Sequence, residues 1–127
     1  MRRKETKNTA HAMKFSKKTI SLMLIILAVM NIVDAFATLY FVGNGYAREL
    51  NPFMAMWLEM GEIPFLLIKL LLVSIGIGFL WYAKEYKLVH RLIVLLLILY
   101  SIIILIHFDI ACNIYYMANM VNHIQGV

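Results

Sequence analysis

The chain has 127 residues, 63% of them hydrophobic and only 15% charged, which is too apolar for a water-soluble domain to bury. Its length holds one membrane domain, because three spans of about 20 residues each, with connections, use nearly all of it. The net charge of +5 is concentrated at one end rather than on a folded face, so no nucleic-acid partner is expected.

Residues 1–18 carry Arg2, Arg3, Lys4, Lys7, Lys14, Lys17 and Lys18 against Glu5 alone. Placed before an apolar run, such a cluster reads as a cytoplasmic tail held on an anionic leaflet, each charge contributing about 1 kcal/mol. The first span is predicted over 19–42 and stops at Gly43-Asn44-Gly45, a turn signal. Ala35-Phe36-Ala37 imitates a signal-peptide cleavage site, but the apolar run continues beyond it, so a span is the expected reading.

Asn51-Pro52 has the form of a helix N-cap followed by proline at the first helical position. Phe53, Met56, Trp57 and Met60 recur at helical spacing behind it, which predicts a short interfacial helix ended by Gly61. A single kinked second span beginning at Pro52 is the alternative. The second span is predicted over 63–83 with Pro64 in its first turn, and the third over 92–117 within an apolar stretch reaching Val121. That stretch is about 45 Å long at about 1.5 Å per residue, more than the roughly 30 Å of hydrocarbon, so it tilts or protrudes.

The expected fold is all-α: a three-transmembrane-helix protein with a short interfacial helix between spans one and two. Its membrane domain occupies 19–121 and an extracytoplasmic tail 122–127. Lys84, Lys87 and Arg91 outweigh Glu85 in the second connection, whereas Arg48 faces Glu49, Glu59 and Glu62 in the first. Both loops predict a multi-pass protein of the cytoplasmic (inner) membrane, N-terminus inside and C-terminus outside.

Charged residues inside spans cost about 2.5–3.5 kcal/mol on insertion scales and so need a reason. Asp34, Lys69 and Asp109 fall at similar outer depths and are expected to meet in one layer. Asn31, Asp34 and Thr38 make one polar stripe on span one, and Asp109, Asn113 and Tyr116 another on span three. Such stripes must face other helices or a wet cavity. The loop bearing Glu49, Asn51 and Pro52 is expected to cover this site. His107, two residues from Asp109, points to a different face and is expected to bond to a neighbouring helix.

Three readings of the layer stand side by side. Two acids against one lysine leave an excess negative charge, which suits ion, proton or small-ligand handling. A membrane-embedded enzyme acting on a lipid would use Asp34 or Glu49 as base and Lys69 as charge stabiliser. A structural ion-pair network holding the helices in register needs no ligand. Ser74 and Gly78 form a small-residue pair for close helix approach, and so small a bundle is expected to associate, as a homo-oligomer or within a larger membrane complex. Its surroundings are the lipid bilayer. Cys112 stands alone, which rules out an internal disulfide or a cysteine metal cluster; neither metal nor cofactor is expected, and no nucleotide, protease or hydrolase motif is present.

The pattern Asn31-x2-Asp34-x3-Thr38, then Glu49-x-Asn51-Pro52, then an intramembrane Lys69, resembles a family of short prokaryotic three-span membrane proteins known as a domain of unknown function. The likeness runs from span one to span three, about two thirds of the chain. It implies the same topology and the same polar residues, and it implies no activity.

Overall fold

A computed structural model describes residues 15–125. The basic tail expected over 1–18 lies mainly outside them; Lys17 and Lys18 open the first helix. Four helices follow in order: α1 (Lys17–Gly43), α2 (Pro52–Glu59), α3 (Glu62–Tyr82) and α4 (Lys87–Gln125). α1, α3 and α4 are long and apolar enough to cross a membrane, and α2 is the short helix between the first two spans. No strand occurs among the described residues.

The helix ends follow from local chemistry. Ser16 caps α1 by accepting from the Thr19 amide. Asn51 caps α2 by accepting from the Phe53 amide, Glu49 Oε1 accepts from the Asn51 amide at 2.8 Å, and Pro52 takes the first helical position. Part of the Glu-x-Asn-Pro motif is therefore spent on starting α2. Gly61, at φ 126° and ψ 167°, separates α2 from α3 in a conformation that is strained for any residue with a Cβ.

α4 is longer than the third span expected over 92–117: it begins at Lys87 and runs through 122–125.

The outward faces carry large apolar side chains such as Leu22, Ile25, Phe36, Leu67, Leu71, Phe79, Ile98 and Leu105, all exposed. Water would not tolerate so continuous a surface, and hydrocarbon does. The chain is a multi-pass membrane protein.

Inside, the bundle is closed at one end and parted at the other. At the α3–α4 hairpin end, Ile20, Leu24, Leu27, Leu80, Ala83, Val89 and Ile93 form one buried cluster. His90 pins this end: its Nδ1 accepts from the Phe15 amide at 3.3 Å, and its Nε2 lies 2.7 Å from the Lys84 carbonyl. The Lys17–Glu85 pair there is exposed and 3.9 Å apart, so it contributes little. α3 and α4 each pack along α1 rather than on each other, and α2 packs on α3. Towards the α2 end, α3 and α4 therefore leave a cleft floored by α1. Gly76 and Gly78 have nothing within 4 Å of an added Cβ, so these two small residues of α3 pack on nothing among the described residues.

Candidate functional site

A cavity of about 580 Å³ occupies this cleft. Its floor is the polar stripe of α1: Asn31, Asp34 and Thr38 lie one above another at helical spacing, and all three are buried. α3 contributes Lys69, Leu72 and Val73, and α4 contributes Tyr100, Ile103, Ile106, His107 and Ile110. The connection between α1 and α2 supplies Arg48, Glu49 and Asn51 at the mouth. Pro52 is exposed at the start of α2 and does not line the cavity.

At the centre, Lys69 Nζ sits 2.6 Å from Asp34 Oδ2, with side chains 12% and 9% exposed. That separation is a charge-assisted hydrogen bond between nearly buried partners, so the two charges largely cancel. The Lys69 ammonium also lies 5.2 Å from the centre of the Phe65 ring, within cation–π range. The other Asp34 oxygen faces His107, whose Nδ1 is 3.5 Å from Oδ1. This is an electrostatic approach too long for a well-formed hydrogen bond, and the buried Nδ1 has no hydrogen-bond partner among the described residues. The His107 ring stacks on Phe41, centroids 5.6 Å apart and planes 15° from parallel, which fixes the imidazole against α1.

Below the ion pair, Asn31 is only 1% exposed. Its Nδ2 donates to the Tyr100 hydroxyl, joining α1 to α4, while its Oδ1 is buried with no partner among the described residues. A buried amide oxygen left unpaired costs about 1–3 kcal/mol, so this half-satisfied group marks a place where a donor is wanted. The Thr38 hydroxyl is already used, donating to the Asp34 carbonyl at 2.8 Å one turn back on the same helix.

The structure thus brings Asn31, Asp34, Thr38, Lys69, Glu49 and Asn51 to one cavity. Asp109 and Asn113 stand elsewhere: both are exposed, and Asn113 Nδ2 donates to Asp109 Oδ2 at 3.2 Å along α4. The reason is helical register. Ile93, Leu96, Tyr100, Ile103 and His107 repeat at alternating three- and four-residue steps on the face against α1, and a residue two positions past His107 is turned about 200° away. His107 therefore takes the place in which Asp109 was expected. Tyr100 and Arg48 join the site unforeseen, while His107, expected to meet a neighbouring helix, lies against α1; extending the α4 step pattern from Ile93 through Tyr100 to His107 is the signal that finds those two α4 residues.

Among the described residues no three His, Cys, Asp or Glu side chains are grouped so as to hold a metal ion. The site can instead offer a hydrogen-bond acceptor at depth, a neutralised ion pair halfway up, and Arg48 and Glu49 at the mouth, between apolar walls. No curated protein and no solved structure matches the chain. Residues 25–123 do match a family, the domain of unknown function DUF5658, and this stretch contains every residue of the cleft; the chain belongs to that family.

Proposed function

We propose that the protein is a small prokaryotic inner-membrane protein, N-terminus in the cytoplasm, whose cleft opens to the outer leaflet and binds a small amphiphile carrying a hydrogen-bond donor. The observation that carries this reading is Asn31, 1% exposed on the floor of a cavity of about 580 Å³, whose Oδ1 has no hydrogen-bond partner among the described residues. That volume is of the size of small-molecule pockets, and its combination of apolar walls with a few convergent polar groups is typical of them. Because α3 and α4 pack on α1 rather than on each other, a molecule dissolved in the bilayer reaches the floor sideways, its hydroxyl or amine directed to Asn31 and its chain along Leu72, Ile103 and Ile106. Ion handling fits less well. Lys69 already neutralises Asp34, and a cation would have to displace it.

Photolabelling of the full chain in membranes with a diazirine-bearing dodecanol tests the reading. The label is expected on Leu72, Ile103 and Ile106, and dodecanol is expected to compete at least about tenfold better than its methyl ether, which corresponds to about 1.4 kcal/mol or more from one hydrogen bond to an otherwise orphaned oxygen. Asn31→Leu should abolish that difference. Equal competition by alcohol and ether, or label spread evenly over the outward faces, overturns it.

Catalysis on such a molecule is the second reading, favoured by the 3.5 Å approach of His107 Nδ1 to Asp34. A carboxylate beside an imidazole is the arrangement of an oriented general base, and Glu49 lines the same cleft. It requires membranes containing the protein to hydrolyse an acyl ester of the same alcohol, with at least a hundredfold loss in His107→Asn; absence of product removes it.

A further inference from the structure

α1 ends at Gly43, level with the turn of α4 that bears Ile110, since Val42 and Ile110 line the same cavity. From there α4 continues to Gln125, about 22 Å further at about 1.5 Å per residue, and between Ala111 and Ile124 every residue except Ile114 is exposed. The segment is helical throughout, although Asn113, Tyr115, Tyr116, Asn119 and Asn122 are weak helix formers. Beyond the end of α1 this stretch packs on no other helix among the described residues.

Its apolar residues are not scattered. Ile110, Ile114, Met117, Val121 and Ile124 follow steps of four, three, four and three, the heptad spacing of a coiled-coil seam. They also prolong, without a break in register, the stripe of Ile93, Leu96, Tyr100, Ile103 and His107 with which α4 packs on α1. Past Ile110 the stripe loses α1 and lines an open groove of about 670 Å³, with Tyr46 as its other wall. The helix-packing face thus outlives its intramolecular partner by about four turns.

We infer that a second copy of this chain covers this face, the two α4 segments from Ile110 to Ile124 pairing side by side about a two-fold axis. Two chains inserted in one direction present these segments in parallel, which places each residue of the seam beside its own counterpart. Such a like-on-like seam is penalised by any charge within it, and residues 110–125 contain no lysine, arginine, aspartate or glutamate. The same lack of basic residues disfavours a helix lying on an anionic lipid surface. Ala111 and Ala118 flank the seam and allow close approach. Below Ile110 the stripe is occupied by α1, so the two copies part there and each cleft stays with its own chain.

Oxidative cross-linking of the full chain in membranes tests this, in a Cys112→Ser background with single cysteines placed in turn. An added copper–phenanthroline oxidant accepts the two electrons released as each pair of thiols joins. Ile114→Cys, Met117→Cys and Val121→Cys lie in the seam and are expected to form linked pairs at least tenfold faster than Tyr115→Cys and Asn119→Cys, which point away from it. Equal rates at all five positions, faster linking at the flanking two, or no linking anywhere overturns the pairing. Independently, Val121→Asp in the otherwise unaltered chain should halve the protein mass measured by light scattering in detergent, and a parent protein that already has the mass of one chain overturns it as well.

Discussion

Asp34→Leu alone will destabilise the bundle by about 3–5 kcal/mol, while Asp34→Leu combined with Lys69→Met will recover most of that loss. The pair is 2.6 Å apart with both side chains nearly buried between α1 and α3, and the hydrocarbon outside offers no solvation to a lone ammonium. Removing Asp34 strands the Lys69 charge, with the Phe65 ring as its remaining partner. The lysine must then stay charged in an apolar place, lose its proton or drag the helix outward, and each route costs stability. Removing both charges forfeits their attraction but also the desolvation they suffered, and these two quantities are of similar size. Unfolding in mixed micelles, followed by helix content for the two single variants and the double, yields the coupling directly. Asp109→Leu is the control: this carboxylate is exposed and, among the described residues, bonded only to Asn113, so a change within about 0.5 kcal/mol is expected. If the double variant loses as much as the sum of the singles, the two side chains act independently and the ion pair does not organise the cleft.

The contrast between Asp34 and Asp109 also shows how much of the site could be read from residues alone. On α1 the stripe Asn31, Asp34, Thr38 stands out because its neighbours are apolar, so the 3.6-residue period is visible. Lys69 is legible for a simpler reason, as a charge in the middle of an apolar run. α4 gives no such contrast, since from Leu92 to Ile106 it is apolar apart from Tyr100 and Ser101, and composition does not say which side meets α1. A polar residue there is conspicuous without being oriented. Asp109 attracts notice by its charge, whereas His107 occupies the cleft by its register with Tyr100 and Ile103.

The fold was more legible than the site because spans are set by bulk hydropathy, which averages over many residues, and a site is set by single side chains whose direction one step of the helix reverses. The capping residues Asn51 and Pro52 illustrate a third case. Their local role in starting α2 is fixed within three residues, so it is readable without knowing the packing. What they cover depends on how α2 lies on α3, which no local pattern encodes.

Phe65→Ala will cost about 3 kcal/mol, and Phe65→Leu less than about 2 kcal/mol. Phe65 is completely buried in the first half of α3, which packs against both α1 and α2, and its ring faces the Lys69 ammonium one turn on. In water, truncating a buried phenylalanine removes both transfer energy and packing, usually about 3–5 kcal/mol together. Within a bilayer the transfer part shrinks, because lipid tails are as apolar as the core, and the cavity part remains wherever lipid cannot enter. A residue with no exposed surface is such a place, which puts the expected loss at the lower end of that range. Leucine restores most of the volume and leaves the lost ring–ammonium attraction, about 0.5–2 kcal/mol depending on solvation. The same micelle unfolding measures both, and the order of the two variants is the decisive result. If leucine proves as damaging as alanine, shape at Phe65 is immaterial and the ring acts on Lys69 alone. If both are harmless, α2 and α3 do not depend on this contact, and the mouth of the cleft is held by the Glu49 and Asn51 backbone bonds instead.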